Sequence, residues 1–158
     1  MTATPTILID TREQRPLEFG AAYPTERVGL PVGDYGIRGF SDWDNPAFIV
    51  ERKSLEDLAG SLGRGRARFF RECEKLRAFR FAALVIEAHR SEAEMGAYHS
   101  ALSPAALLAT LDVLSVRCGL HVYWAESPDG AARQVEGLVR QFVRGIEKDA
   151  KRLEREAE

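Results

Sequence analysis

Apolar positions come in short runs punctuated by turn residues over the first half of the chain, and at helical spacing toward its end. Thr6-Ile7-Leu8-Ile9-Asp10 is a brief apolar run closed by a carboxylate, the pattern of a buried strand. Residues 25–28 make a weaker strand, followed by the turn-forming Gly29, Leu30 and Pro31. Residues 34–38 and 47–53 read as a strand pair, joined by a polar loop, 39–46, that carries Trp43. Ser54-Leu55-Glu56-Asp57 has the form of a capping box, with Ser54 at the N-cap and Asp57 three residues on. Gly60 and Gly63 should end or interrupt the helix it opens. A second helix is expected over 64–79, with Phe69, Phe70, Cys73, Leu76 and Phe79 on its apolar side. Residues 82–87 are apolar up to the last, as in a strand buried on both faces. Ser103-Pro104 opens a helix running to Cys118, with proline in its first turn, and a strand follows over 120–124. The last helix starts near Asp129, where Val135, Leu138, Val139, Phe142, Val143 and Ile146 recur on one face. Over 147–158 charges of both signs mix, and fraying is expected there. Strands first, then alternating helix and strand, predict an α/β sandwich: a central mixed sheet of about five or six strands flanked by helices.

Composition narrows the setting. The chain has 158 residues, 45% hydrophobic and 29% charged, a globular balance that fits one domain over 1–158. No apolar run approaches the ~20 residues of a membrane helix, and Met1-Thr2-Ala3-Thr4-Pro5 lacks the pattern of a secretory leader. Cys73 and Cys118 stand far apart without metal-site spacing, so a reducing cytoplasm is expected, with nucleoid association in a bacterium. The net charge is −2, yet residues 64–80 carry seven cations against two anions, a local +5 beside an acidic remainder. A polyanion site next to a carboxylate cluster has that charge pattern.

Candidate carboxylates lie at the end of the second strand pair. Glu51 and Lys53 are two apart on a strand and share a face, while Arg52 points the other way. Asp34, at the start of the neighbouring strand, is placed to lie across from Glu51. Two adjacent carboxylates repel unless a cation separates them, and Mg²⁺ or Mn²⁺ suits oxygen donors that leave some of its waters in place. Lys53 can position or deprotonate such a water, or neutralise charge developing on phosphorus. The ordinary alternative for a Glu-x-Lys strand is a solvated cross-strand ion pair.

Longer motifs favour the metal. Gly33-Asp34, then Glu51-Arg52-Lys53, then Asp57, resembles the G-D…E-R-K-x-x-x-D signature of the XPF-type structure-specific endonucleases. Ile9-Asp10-Thr11-Arg12-Glu13 resembles that family's I-D-x-R-E segment. The stretch 58–76, with Ser61-Leu62, Gly65-Arg66 and Phe69, is similar to the helical region after the signature. The resemblance implies a restriction-endonuclease-like three-layer fold and metal-dependent DNA cleavage near duplex–single-strand junctions, in repair or recombination. It implies Asp34 and Glu51 as metal ligands with Lys53 as the catalytic lysine. Asp10 would be a further metal-site carboxylate, with Arg52, Asp57, Arg12 and Glu13 in support. Two departures stand out. A glutamine common in the helix after the signature is replaced in the Arg71-Glu72 region, and no helix-hairpin-helix module is expected within 1–158.

The basic helix supplies the DNA contacts in this reading. Arg64, Arg66, Arg68 and Arg71 are assigned to phosphates, aided by the free N–H groups of a helix start. Trp43 is either packed on its own loop or available to stack on an unpaired base. Glu87 is a candidate for an outer role at the site, and His89, His99 and His121 lack ligand spacing. The stretch 105–114 is apolar almost all round, so it is covered by the last helix or forms an interface. The resemblance favours a homodimer through the C-terminal helices. A helicase or other targeting protein is a further expected partner. The rival reading is a non-catalytic DNA-binding subunit of the same fold.

Overall fold

The computed structural model describes residues 4–158. Met1–Ala3, the first part of the segment read for a leader, lie outside the described residues. Strand β1 (Ile7–Asp10) pairs in parallel with β2 (Thr25–Val28) and antiparallel with β3 (Tyr35–Ile37). A small separate hairpin, β4 (Ser41–Asp42) with β5 (Asn45–Pro46), follows. Strand β6 (Phe48–Lys53) returns antiparallel to β3. Two helices come next, α1 (Leu55–Leu62) and α2 (Arg66–Leu76). Strand β7 (Phe81–Ile86) runs parallel to β6. Helices α3 (Arg90–Glu94) and α4 (Pro104–Cys118) lead to β8 (Leu120–Trp124), parallel to β7, and α5 (Pro128–Ala157) closes the chain. The six-stranded sheet has the order β2-β1-β3-β6-β7-β8.

Side-chain alternation divides the core into two layers. Ile49, Leu84, Ile86 and Leu120 face one side and pack against Leu58, Leu62, Phe69, Cys73, Leu107, Leu111 and Leu114 of α1, α2 and α4. Ile7, Ile9, Tyr35, Ile37, Phe48, Val50, Ala83 and Val85 face the other side, against Ala131, Ala132, Val135 and Val139 of α5. The expected sandwich is therefore present, with helices on both faces of a mixed sheet. Serines cap three of the helices: Ser54, Ser103 and Ser127 side chains accept from the N–H groups of Asp57, Ala106 and Gly130.

Several local expectations are corrected. The Ser54 cap is one-sided, since no return bond from the Asp57 carboxylate accompanies it. Helix α2 begins at Arg66 and not at Arg64, because 63–65 is spent in a glycine turn where the Gly65 N–H bonds the Gly60 carbonyl. The loop 39–46 contains the β4–β5 hairpin, held by the buried Ser41 hydroxyl, which accepts from the Ile37 N–H and donates to the Phe48 carbonyl. Short α3 is an element the sequence reading lacks; its signal is local, the Glu92 carboxylate that accepts the His89 N–H at 2.7 Å. Helix α5 runs to Ala157, with Arg152 reaching Asp149 and Glu156 at helical spacing. Apolar α4 is covered by α1, α2 and β8; α5 lies on the opposite face of the sheet. Among the described residues no helix is long and apolar enough to cross a membrane.

Candidate active site

Strand direction and parity bring four predicted residues together. The C-terminal ends of β1 and β6 and the N-terminal end of β3 meet at one rim of the sheet. The Tyr35–Val50 pairing sets Asp34 opposite Glu51, and the Ile9–Tyr35 pairing sets Asp10 beside Asp34. Two backbone bonds fix this: the Asp34 N–H to the Val50 carbonyl at 2.8 Å, and the Asp10 N–H to the Asp34 carbonyl at 2.9 Å. Asp10, Asp34, Glu51 and Lys53 alternate with residues of the α5-side core, so all four side chains leave the sheet toward α2. Gly33 aims Asp34. Its φ is +77°, and a Cβ there would lie 2.6 Å from Ile49 Cγ1. No other residue type fits that turn unstrained.

The carboxylates differ in how they are neutralised. Asp34 accepts the Arg52 N–H at 2.7 Å, but its burial and the nearby Glu13 charge push its carboxyl up to about 6. Glu51 is only 7% exposed. No hydrogen bond ends on its side chain among the described residues, and Lys53 Nζ, 3.8 Å away, is its one cation within salt-bridge range. Burial, then the charge of Asp34, raises its carboxyl well above the ordinary range. Asp10 is different. Burial works to raise it, but Arg12 Nε at 2.6 Å, the Leu30 N–H at 2.9 Å and the Arg12 N–H at 3.1 Å together hold it low. Both Asp10 oxygens are thereby engaged within the chain.

A buried, adjacent carboxylate pair short of donors fits a hard divalent cation, which supplies the positive charge the pair lacks. Asp34 and Glu51 make up that donor set. They line a cavity of about 190 Å³ with Asp10, Arg12, Glu72 and Lys75. Among the described residues no three His, Cys, Asp or Glu side chains converge closely enough to hold a metal by themselves. The expected third ligand, Asp10, faces the cavity while its oxygens hold Arg12 and the Leu30 backbone.

The predicted supporting residues occupy two different places. Arg52 emerges on the α5 side, where it pairs with Glu87 and, at 3.0 Å, with Glu13. Tyr35 donates to Glu13 at 2.7 Å and accepts the Leu17 N–H at 2.8 Å. This network straps the segment after β1 onto the sheet, so Glu87 belongs to the support of Arg52 and not to the carboxylate face. Asp57 instead lines a cavity of about 400 Å³ with Lys53, Ser61, Arg68, Phe69 and Glu72. Lys53 Nζ lies 5.3 Å from the Phe69 ring centroid, which fixes the ammonium between the two cavities.

The four predicted phosphate-binding arginines separate as well. Arg64, Arg68 and Arg71 are exposed and form no ion pair among the described residues. Arg66 is exposed as well but is tied within the chain: it donates to Thr110 Oγ1 at 3.0 Å and stacks over Phe70 at 4.8 Å, joining α2 to α4. Trp43 is 52% exposed, with its ring tilted against Phe79. Sequence reasoning missed Glu72 and Lys75 as residues facing the carboxylates. The available signal was their spacing from Arg68, four and seven residues on along one helical face.

Comparison with known proteins follows the same lines. A family model described as the ERCC4 domain matches residues 9–138. The DNA repair endonuclease XPF of Cricetulus griseus is 31% identical over 144 residues, covering 85% of this chain. That of Mus musculus is 32% identical over 142 residues, covering 84%. The matched regions amount to 15% and 14% of those longer proteins. Among solved structures, XPF from Aeropyrum pernix superposes with a TM-score of 0.68 at 23% identity, over 93% of this chain and 69% of that one. The same protein in complex with DNA gives 0.65 at 23% identity, over 89% and 66%. These superpositions show that the chain shares the fold of that protein.

Proposed function

The chain belongs to the ERCC4 domain family, and from that premise we propose that it is a divalent-metal-dependent DNA endonuclease, a single nuclease domain over 1–158. The observation that carries this reading is the buried Asp34–Glu51 pair, which faces the basic helix and has, among the described residues, only Lys53 in salt-bridge reach of Glu51. Mg²⁺ or Mn²⁺ held there would polarise the phosphodiester and lower the pKa of a water. The chain's own residues supply the rest. The Arg52 N–H orients Asp34, and the β6 backbone presents Glu51 at the rim. Lys53, steadied by Phe69, places a positive charge where negative charge develops on the phosphoryl oxygens. Arg68, beside Lys53 in the same cavity, and Arg64, one turn earlier, hold the backbone of the DNA. Asp10 and Arg12 brace one wall of the site.

The proposed substrate is DNA with an unpaired segment, such as a flap or fork, because a free strand enters a recessed carboxylate site more readily than stiff duplex does. We extend the proposal to a homodimer. Strand β8 is a sheet edge with half-buried Val122, Tyr123 and Trp124, and α5 leaves Leu138, Phe142, Val143 and Ile146 half-covered. Light scattering of the purified chain tests that state. A helicase or other targeting protein and a cytoplasmic, nucleoid-associated setting complete the proposal.

The test is cleavage of labelled flap, fork, duplex and single-stranded DNA with Mn²⁺, with Mg²⁺ and with a chelator. Asp34→Asn, Glu51→Gln and Lys53→Ala are each expected to lose cleavage while retaining DNA binding, since they act on charge that develops during reaction. Undiminished cutting by Glu51→Gln would overturn the assignment.

A further inference from the structure

Glu72 occupies an unusual position for a glutamate on a basic helix. It stands four residues after Arg68 and three before Lys75, the spacings at which helical ion pairs form, yet it pairs with neither among the described residues. Its half-buried side chain lines both the Asp34–Glu51 cavity and the adjoining cavity of Lys53 and Arg68. Beside it, Glu51 is buried, aimed into the first cavity and without a hydrogen bond. Asp34, Glu51 and Glu72 thus outnumber Lys75, the one cation left free among the described residues that line the first cavity, because Arg12 is taken up by Asp10. An arrangement of this kind attracts more positive charge than the chain provides.

We propose that Glu72 is a third carboxylate of the cation site, a positioning residue that acts from α2 through the water shell of a divalent ion held by Asp34 and Glu51. The inference rests on the function proposed above and deepens it. Direct ligation is not required: a small divalent cation bound by one or two carboxylates keeps several waters, and a carboxylate one layer out accepts hydrogen bonds from them. That agrees with the absence, among the described residues, of a three-carboxylate group close enough to coordinate on its own. A glutamine at this position could take the same hydrogen bond but would lack the charge. The carboxylate therefore sets how tightly the ion is held before DNA arrives.

The experiment is titration of the DNA-free protein with Mn²⁺, followed by electron paramagnetic resonance of the free ion and by calorimetry. Wild type should bind one ion, and Glu51→Gln should lose it. Glu72→Gln should weaken binding roughly threefold to tenfold, as expected when one full charge leaves the vicinity of a divalent cation near solvent. Glu72→Lys should weaken it further. Metal-free melting temperatures of both Glu72 variants should not fall below wild type, because no ion pair is broken and a charge that repels Glu51 is removed. Wild-type affinity in Glu72→Gln, with binding lost in Glu51→Gln, would overturn this inference and leave the proposed function standing. Unchanged binding in Glu51→Gln would overturn the proposed function itself.

Discussion

Replacing Asp34 by asparagine should make the metal-free protein more stable at neutral pH. The Asp34 carboxyl is pushed up from 3.8 to about 6 by burial. Below about pH 4 the folded and unfolded chains both hold the proton, and the position carries no penalty. As pH rises toward 6 the unfolded chain releases its proton first, so stability falls. Above 6 the loss is complete, and a shift of about two pH units corresponds to about 3 kcal/mol. Glu51, raised in the same direction, adds to the decline. An asparagine keeps an oxygen to accept the Arg52 N–H and removes both the buried charge and its repulsion of Glu51. With roughly 2–4 °C per kcal/mol for a domain of this size, Asp34→Asn should melt about 6–12 °C above wild type at pH 7.5 in chelator. The gap should close as pH is lowered to 4. Millimolar Mn²⁺ should raise the wild type and not the variant, since only a native site that binds the ion is stabilised by it. Scanning calorimetry across pH 4–8 provides the measurement. A variant that melts below wild type at pH 7.5, or a gap that does not depend on pH, would refute the argument that these carboxylates are in conflict without a cation.

Two further outcomes are expected. Arg52→Met strands Glu13 and Glu87 in a half-buried setting and should lower stability by about 3–5 kcal/mol in urea unfolding; Arg52→Lys should restore little, because a single ammonium cannot reproduce the forked contacts. Arg64→Ala and Arg68→Ala should each flatten the salt dependence of DNA binding by about 0.9 in log–log slope. Arg66→Ala should leave the slope unchanged and lower stability by about 1 kcal/mol through the lost Thr110 bond. Equal slopes for Arg66 and Arg68 variants would count against the distinction.

Short-range periodicity made the central part of the site readable. Alternation along residues 51–53 places Glu51 and Lys53 on one face and Arg52 on the other, and the structure has them so. The unbroken apolar run before Glu87 likewise yields the buried β7. Interactions between distant parts of the chain were not readable. Nothing local signals that Arg66 will find Thr110, forty-four positions away, or that the Leu30 backbone will claim an oxygen of Asp10. That α5 does not cover α4 was not readable either, because helix order says nothing about which side of a sheet each helix takes. That Glu72 lines the carboxylate cavity could not be read from the sequence, because a charge on a solvated-looking helix face has the same pattern whether it points to water or to a cavity.

The division of labour along β6 restricts how this chain can change in length. Glu51 and Lys53 serve one side of the sheet and Arg52 the other. Inserting or deleting a single residue between Phe48 and Glu51 would exchange the two sides at once. The carboxylate would then turn toward α5, and the guanidinium would enter the cavity beside Asp34. Two independent failures would follow from one event, so neither could be repaired by a substitution elsewhere. The β4–β5 hairpin lies outside the main sheet and has no such coupling. Natural length variation should therefore collect in that hairpin and be missing from β6, and a library of single-residue insertions scored for solubility and cleavage would reveal the boundary between the two.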